Sequence, residues 1–137
     1  MLKVVIDTNI FISGVLVEGG NPSIIIKSWK RTQKYQLFVT EEIIQETLRV
    51  MQRLNVNPDI IADWDKVIRK NAISVVPTRK IEAIKEDPSD NKFLECAIES
   101  SADYIVSGDN HLKGLKEFKG IKIVSAKEFL GILSRES

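Results

Sequence analysis

Cysteine and histidine are almost absent from the sequence. Its 137 residues include one of each, Cys96 and His111. A lone cysteine excludes a disulfide framework within the chain, and it also excludes a zinc site built from several thiolates. A Gly-rich phosphate loop and a Gly-x-Ser-x-Gly nucleophile elbow are missing as well. The sequence therefore offers no strong system for covalent nucleophilic catalysis.

Long apolar runs and an excess of one charge are also missing. No apolar run approaches the roughly 20 residues of a membrane-spanning helix. Met1 leads straight into a predicted strand rather than a signal peptide, so we expect a cytoplasmic protein. The formal net charge is +1, so any basic surface for nucleic acid must be local. The length fits one domain, which we place at residues 1–137, without repeats or linkers.

What the sequence does contain is a regular alternation of apolar strands and amphipathic helices. Such an alternation is typical of a three-layer α/β/α fold, in which helices cover both faces of a central parallel sheet of about five strands. The predicted strands cover residues 2–6, 35–39, 73–76, 104–107 and 121–124.

Capping residues mark the starts of several predicted helices. Asn21-Pro22 and Asn57-Pro58 each pair a capping Asn with Pro at the first helical position. Thr40 is a further predicted cap, and residues 125–128 fit a Ser-x-x-Glu capping box.

Two acidic residues directly follow predicted strands. Asp7 comes after the first strand, and Asp109 comes after the strand that ends at Ser107. Because parallel strands end at the same edge of a sheet, we expect both carboxylates at one ligand-binding edge. The alternative is structural, since Asp7 could cap a helix and Asp109 could be a turn residue.

Two more acidic residues belong to predicted helices. Asp90 lies three and four residues before Phe93 and Leu94, so it is directed along the buried stripe of its helix. A carboxylate in that position must be paired, hydrogen-bonded or bound to a metal. Alternatively, Asp87 is the cap and Asp90 neutralises free amides in the first turn. Glu46 lies on the flank of its helix, where a glutamate is usually solvated.

Several carboxylates at one edge require a counter-charge, because like charges raise one another's pKa. Oxygen ligands suit Mg²⁺ or Mn²⁺, and such an ion can activate water for attack at phosphorus. A phospho-accepting receiver domain and an Asp-x-Asp phosphatase are poorer interpretations. Both need a second acid that Asp7-Thr8-Asn9 does not supply.

Taken together and in order, these segments resemble a PIN-domain ribonuclease over essentially the whole chain. The Asp-Pro-x-Asp and Ser-Gly-Asp motifs most resemble PIN proteins regarded as toxins of toxin–antitoxin systems, relatives of the VapC toxins. The segments that carry the resemblance are Val4–Ile10, Glu46, Asp87–Leu94 and Tyr104–Asp109.

The resemblance implies an acidic metal site that cuts RNA. The family acids matching Asp7, Glu46, Asp90 and Asp109 bind Mg²⁺ or Mn²⁺ and activate water. Many relatives carry a further acid two residues after the last of these. His111 stands there in this chain, which weakens the case for a second metal ion, and we expect it to be a surface turn residue. The resemblance further implies hydrogen-bonded support of the site from Thr8, Asn9 and Ser107.

The resemblance also implies partners, namely an RNA substrate, a cognate antitoxin and a second copy of the chain in a homodimer. Candidate dimer faces are the apolar helix segments Ile24–Trp29 and Ile60–Trp64, although core packing would explain both equally well. A PIN-fold module that binds RNA or a partner without cutting remains the alternative function. Candidate RNA-backbone contacts are the basic residues Lys27, Lys30, Arg31, Lys34 and Lys113.

Overall fold

A mostly parallel sheet runs through the centre of the molecule. The computed structural model describes residues 1–85 and 90–136, and within them the sheet has six strands in the order β3-β2-β1-β4-β6-β5. All neighbouring strands are parallel except β5 and β6. The strands are β1 Lys3–Ile6, β2 Gln36–Val39, β3 Ile73–Ser74, β4 Tyr104–Val106, β5 Glu117–Phe118 and β6 Ile121–Val124.

The register of the parallel strands aligns their carboxyl ends. Ile6 of β1 lies opposite Val106 of β4, and Val106 lies opposite Val124 of β6. The backbone N–H of Asp7 then donates to the carbonyl of Val106 at 3.0 Å. The residues that directly follow these strands therefore meet at one edge of the sheet, as the sequence predicts.

Helices connect the strands and cover the sheet. Helix α5 packs against β1, β2 and β4, whereas α1 packs against α2 and α3. The α/β fold with a central sheet flanked by helices is confirmed. The helices are α1 Thr8–Leu16, α2 Asn21–Lys30, α3 Glu41–Arg53, α4 Pro58–Asn71, α5 Asn91–Ser100, α6 Asn110–Leu115 and α7 Ala126–Glu136.

Most of the predicted helix caps are present. Thr40 accepts a hydrogen bond from the backbone N–H of Ile43 at 3.2 Å, and Asn57 accepts one from Asp59 at 2.8 Å. Ser125 and Glu128 exchange hydrogen bonds of 3.0 and 3.1 Å, as a capping box requires.

The predicted cap at Asn21 is wrong. Helix α2 begins one residue earlier, with Gly20 at the N-cap and Asn21 already helical. Gly20 has an extended backbone there, and glycine is tolerated at this position at little cost. The preceding Gly19 has φ +85°, a conformation that glycine adopts more readily than other residues and that turns the chain sharply between α1 and α2.

Two short elements escape the sequence prediction. Strand β5 pairs with β6 in a hairpin whose turn residues, Lys119 and Gly120, have φ values of 49° and 87°. Positive φ at both central positions matches the right-handed twist of paired strands. Helix α6 is six residues long, too short for a clear apolar period. The expected opening of a helix at residues 87–89 lies outside the described residues.

The core lies on both faces of the sheet. Val4 and Val5 of β1 are fully buried, as expected for the centre of a parallel sheet. Tyr35 packs edge-on against Phe129 of α7 at 5.3 Å, and its hydroxyl donates to the carbonyl of Ile25 at 2.7 Å. A hydroxyl buried among apolar groups needs such a partner, so this contact fixes α2 beside α7.

Of the two candidate dimer faces, the one on α2 is largely core, whereas the one on α4 is only partly buried. Ile25, Ile26 and Trp29 of α2 are buried, whereas Ile24 and Ile60 are each 46% exposed. The homodimer therefore stays a prediction. Within the described residues no single helix is long and apolar enough to cross a membrane. Helices α1 and α2 reach the required length and hydropathy only when taken together, and the chain bends by 89° between them.

Candidate active site

Asp7 stands at the point where β1 passes into α1. It is 3% exposed, and both of its carboxylate oxygens accept hydrogen bonds. Oδ1 accepts from the backbone N–H of Ile10 at 2.8 Å, which makes Asp7 the cap of α1. Oδ2 accepts from the hydroxyl of Ser107. The structural and functional interpretations of Asp7 are thus compatible, because the cap also faces the end of β4.

Ser107 joins the ends of β1 and β4. Its buried hydroxyl donates to Asp7 and accepts from the backbone N–H of Asp109 at 2.9 Å. One side chain therefore links the carboxylate of Asp7 to the backbone of Asp109 at the same edge of the sheet. The support expected from Ser107 has a direct geometric basis.

Asp109 caps α6, and His111 follows within the first turn. Oδ1 of Asp109 accepts from the backbone N–H groups of His111 and Leu112 at 2.8 and 3.2 Å. The imidazole Nδ1 of His111 lies 3.7 Å from the same oxygen. The short helix α6 therefore brings the imidazole close to the carboxylate.

Asp90 completes a cluster with these two residues. It occupies the N-cap position of α5 and is half-buried. One ligand atom each from Asp90, Asp109 and His111 lies within 4.8 Å of the others. Two carboxylates and an imidazole suit Mn²⁺, and the carboxylates suit Mg²⁺. The donor set thus fits a divalent ion. The exposed His111, expected only as a surface turn residue, is close enough to contribute.

The electrostatics of Asp7 also favour a cation at this edge. Burial raises the pKa of its carboxyl group, and the charge of Asp109 raises it further. Hydrogen bonds from Ser107 and Ile10 offset part of that rise by stabilising the carboxylate. A positive ion beside Asp109 would relieve the remaining repulsion.

Glu46 is held from two sides. The hydroxyl of Thr8 donates to its Oε1 at 2.5 Å, and the ammonium of Lys92 lies 2.5 Å from its Oε2. Sequence reasoning expected Thr8 near the site but missed Lys92. A lysine beside Phe93 in α5 gives no local signal, because lysine at a helix start is ordinarily solvated.

An open cleft of about 550 Å³ is lined by three of the four predicted acids, Glu46, Asp90 and Asp109. Arg49 and Arg53 of α3 line it together with Asp90 and Asp109, and sequence reasoning missed both arginines. Asp7 is buried and does not belong to the lining. A larger cavity, of about 840 Å³, lies along residues 77–85 and α5 and is lined by none of the predicted site residues. The residues that line the cleft are Thr8, Asn9, Glu46, Arg49, Val50, Gln52, Arg53, Asp90 and Asp109.

The lysines and the arginine predicted to contact RNA lie elsewhere. Lys30 places its ammonium 4.8 Å from the ring of Trp64, and Lys113 lines a separate cavity with Lys116 and Lys122. None of the five predicted residues, which also include Lys27, Arg31 and Lys34, belongs to the lining of the cleft.

The fold and site define an α/β protein with an acidic cluster at the carboxyl edge of its sheet, and known proteins share this fold. The crystal structure of PAE2754 from Pyrobaculum aerophilum is similar, with a TM-score of 0.61 and 14% identity over 98% of this chain and 90% of that chain. No curated protein sequence matches. The PIN domain family matches residues 3–111. The chain therefore belongs to the PIN domain family, whose members are generally nucleases and usually use divalent metals.

Proposed function

We propose that the protein is a metal-dependent endoribonuclease, a hydrolase that cleaves RNA phosphodiester bonds. The observation that carries this proposal is the cluster of Asp90, Asp109 and His111, whose ligand atoms lie within 4.8 Å of one another. Asp90 and Asp109 also line an open cleft. Membership of the PIN domain family adds support, because its members are generally nucleases.

The proposed roles follow from the contacts. Asp90 and Asp109 hold the ion directly, His111 is placed to assist them, and Asp7 belongs to the same acidic site through its hydrogen bond with Ser107. Glu46 either completes the ligand set or orients the attacking water. Bound Mg²⁺ or Mn²⁺ would supply an activated water and offset charge on the phosphoryl oxygens. No side chain forms a covalent bond to the substrate.

The arginines of α3 are the cations best placed to receive RNA. Glu46, Arg49 and Arg53 are spaced three and four residues apart, so they share one face of the helix. Within residues 1–85 and 90–136, neither arginine forms an ion pair. A guanidinium group binds phosphate in a bidentate manner. We therefore place the RNA backbone along this face of α3, next to the acidic cluster.

Cleavage of a mixed RNA pool tests the proposal. Wild-type protein should cut RNA with Mg²⁺ or Mn²⁺ and should not cut it in EDTA. Asp90→Asn and Asp109→Asn should each lower the cleavage rate by at least about 100-fold. Loss of a residue that only supports a metal ligand costs up to about 100-fold, and loss of a ligand itself should cost at least as much. Asp63→Asn, an exposed position on α4, is the control. Full activity of Asp90→Asn with metal present would overturn the assignment.

One observation favours a second candidate function. His111 stands where many relatives carry an acid, so the fold could serve as a module that binds RNA or a partner without cutting it. Metal-independent RNA binding, with no cleavage under any metal, would support that alternative.

The biological role we propose is that of the toxin in a toxin–antitoxin pair. The cytoplasmic location, the cognate antitoxin and the homodimer all remain predictions. Induced expression of the wild-type chain should arrest growth, and Asp90→Asn should not arrest it at the same protein level. Growth arrest by both proteins would separate toxicity from nuclease activity and contradict this role.

A further inference from the structure

Lys92 places a charged group inside the protein next to the cleft. Its side chain is 5% exposed, and its ammonium lies 2.5 Å from Oε2 of Glu46. The same ammonium lies 5.2 Å from the ring of Phe93. A buried charge is costly unless it is paired, and removing one partner of such a pair is strongly destabilising. The pair is therefore a fixed part of the site rather than a mobile surface contact.

This pairing occupies the carboxylate of Glu46. Lys92 takes Oε2, and the hydroxyl of Thr8 donates to Oε1 at 2.5 Å. Both oxygens thus have strong partners that belong to the protein. Among the described residues, the group able to hold a metal consists of Asp90, Asp109 and His111 and does not include Glu46.

The charges of the cluster also indicate that Glu46 does not bind a metal ion. A ring of carboxylates needs a counter-charge, and two-metal sites supply it with two cations. Here one carboxylate is already neutralised by a cation that the chain itself provides. An ammonium fixed in this way also repels a divalent ion that approaches Glu46.

We propose that Lys92 is a positioning residue that takes the place of a second metal ion. It holds Glu46 as an ion pair beside the cleft, so the site takes one divalent ion, bound by Asp90 and Asp109. Glu46 then orients the attacking water and does not bind the metal. This inference rests on the proposed function only in assuming that a metal site exists. It decides between the two roles proposed above for Glu46, metal ligand and residue that orients water.

Isothermal titration of the full chain with Mn²⁺ tests this inference without any RNA. The wild-type protein should bind one equivalent. Lys92→Gln removes the fixed cation and should either take up a second equivalent or bind the first about tenfold more tightly, because the cluster becomes more negative. Lys92→Arg keeps the charge and should again bind one equivalent.

The double variant Glu46→Gln with Lys92→Gln is the decisive comparison. It replaces a neutralised pair with an uncharged pair, and it avoids leaving a buried charge without its partner. It should fold, as judged by circular dichroism, and should bind one Mn²⁺ with an affinity within about threefold of wild type. A loss of affinity of about tenfold or more, which is about 1.4 kcal/mol, would show that Glu46 is a ligand.

The outcomes separate this inference from the proposed function. Two equivalents bound by the wild-type chain, or unchanged stoichiometry and affinity in Lys92→Gln, would overturn the inference even if RNA is cleaved. One equivalent in wild type, with the expected shift in Lys92→Gln, would support it even if no RNA is cleaved. A chain that binds no Mn²⁺ would overturn both.

Discussion

At Asp7 the stability of the fold and the proposed metal site make opposite demands. This residue caps α1, receives the hydroxyl of Ser107 and is nearly inaccessible to solvent. Burial raises the pKa of its carboxyl group, so the folded protein disfavours the charged form that the proposed metal site would need. A carboxyl group whose pKa is perturbed by burial and by a neighbouring charge is a candidate for a functional site.

The first prediction concerns Asp7→Asn. The amide can still accept from the backbone N–H of Ile10, and it removes the buried charge. A raised pKa in the folded state means that the charged carboxylate costs stability above the unfolded pKa, and that this cost disappears as the pH falls and the group is protonated. In EDTA at neutral pH, Asp7→Asn should therefore raise Tm by roughly 2–5 °C, with a smaller gain near pH 4.

Thermal unfolding in EDTA at the two pH values measures this effect, with Asp63→Asn as the control. The same Asp7→Asn protein should cleave RNA poorly. If Tm falls at neutral pH, the hydrogen bonds to the charged carboxylate outweigh the cost of burying it.

At the scale of the element, α3 serves two purposes through its two faces. Ile43, Ile44 and Met51 are buried in the core. Glu46, Arg49 and Arg53 line the cleft. Because the helical period separates these sets, changes at Arg49 and Arg53 should alter function with little effect on folding.

The second prediction concerns the arginines of α3. Arg49→Gln and Arg53→Gln should each weaken RNA binding and lower the slope of log affinity against log salt by about 0.7, the value for one contact to single-stranded RNA. Binding is measured by fluorescence anisotropy in an Asp90→Asn background, so that the RNA stays intact. Arg135→Gln, an exposed position on α7, is the control and should leave the slope unchanged. Equal slopes in all variants would place the RNA elsewhere, for example along Lys27, Lys30, Arg31 and Lys34.

At the scale of the whole molecule, the site depends on the sheet. Its acidic groups come from the ends of β1 and β4 and from the separate helices α3 and α5. The unfolded chain would not hold these groups together, so an ion that binds the folded site must stabilise the entire fold.

The third prediction follows from this linkage. Mn²⁺ at about 100 times its dissociation constant should stabilise the wild-type protein by about 2.7 kcal/mol. Thermal unfolding with increasing Mn²⁺ should show a rising Tm for the wild type and little rise for Asp109→Asn. An equal rise in both proteins would mean that the ion binds outside the proposed site.

Several features of the fold could be predicted because their causes are local in the sequence. The strands at residues 2–6, 35–39 and 121–124 are apolar runs between polar residues, and the structure contains a strand within each of these ranges. The caps at Thr40 and Asn57 act on N–H groups two or three residues away. Strand β5 and helix α6 were not predicted, because each is too short to show a periodic pattern of apolar residues.

The candidate site was predictable only in part. Asp7 and Asp109 follow predicted strands, and the rule for parallel sheets is enough to place both at one edge. Lys92, Arg49 and Arg53 could not be found in this way. A lysine or arginine near a helix terminus or on an exposed helical face is normally solvated, and only a contact with another element reveals a different role.

The sequence by itself determined the order of the elements, several helix caps and the acids that end the strands, because each depends on interactions between neighbouring residues. Tertiary structure alone decided which distant groups meet. The hydroxyl of Ser107 reaches Asp7 across 100 residues of chain, and Lys92 of α5 reaches Glu46 of α3. These pairs form because the sheet and its helices bring separate segments within a few ångströms, a result that no local pattern encodes.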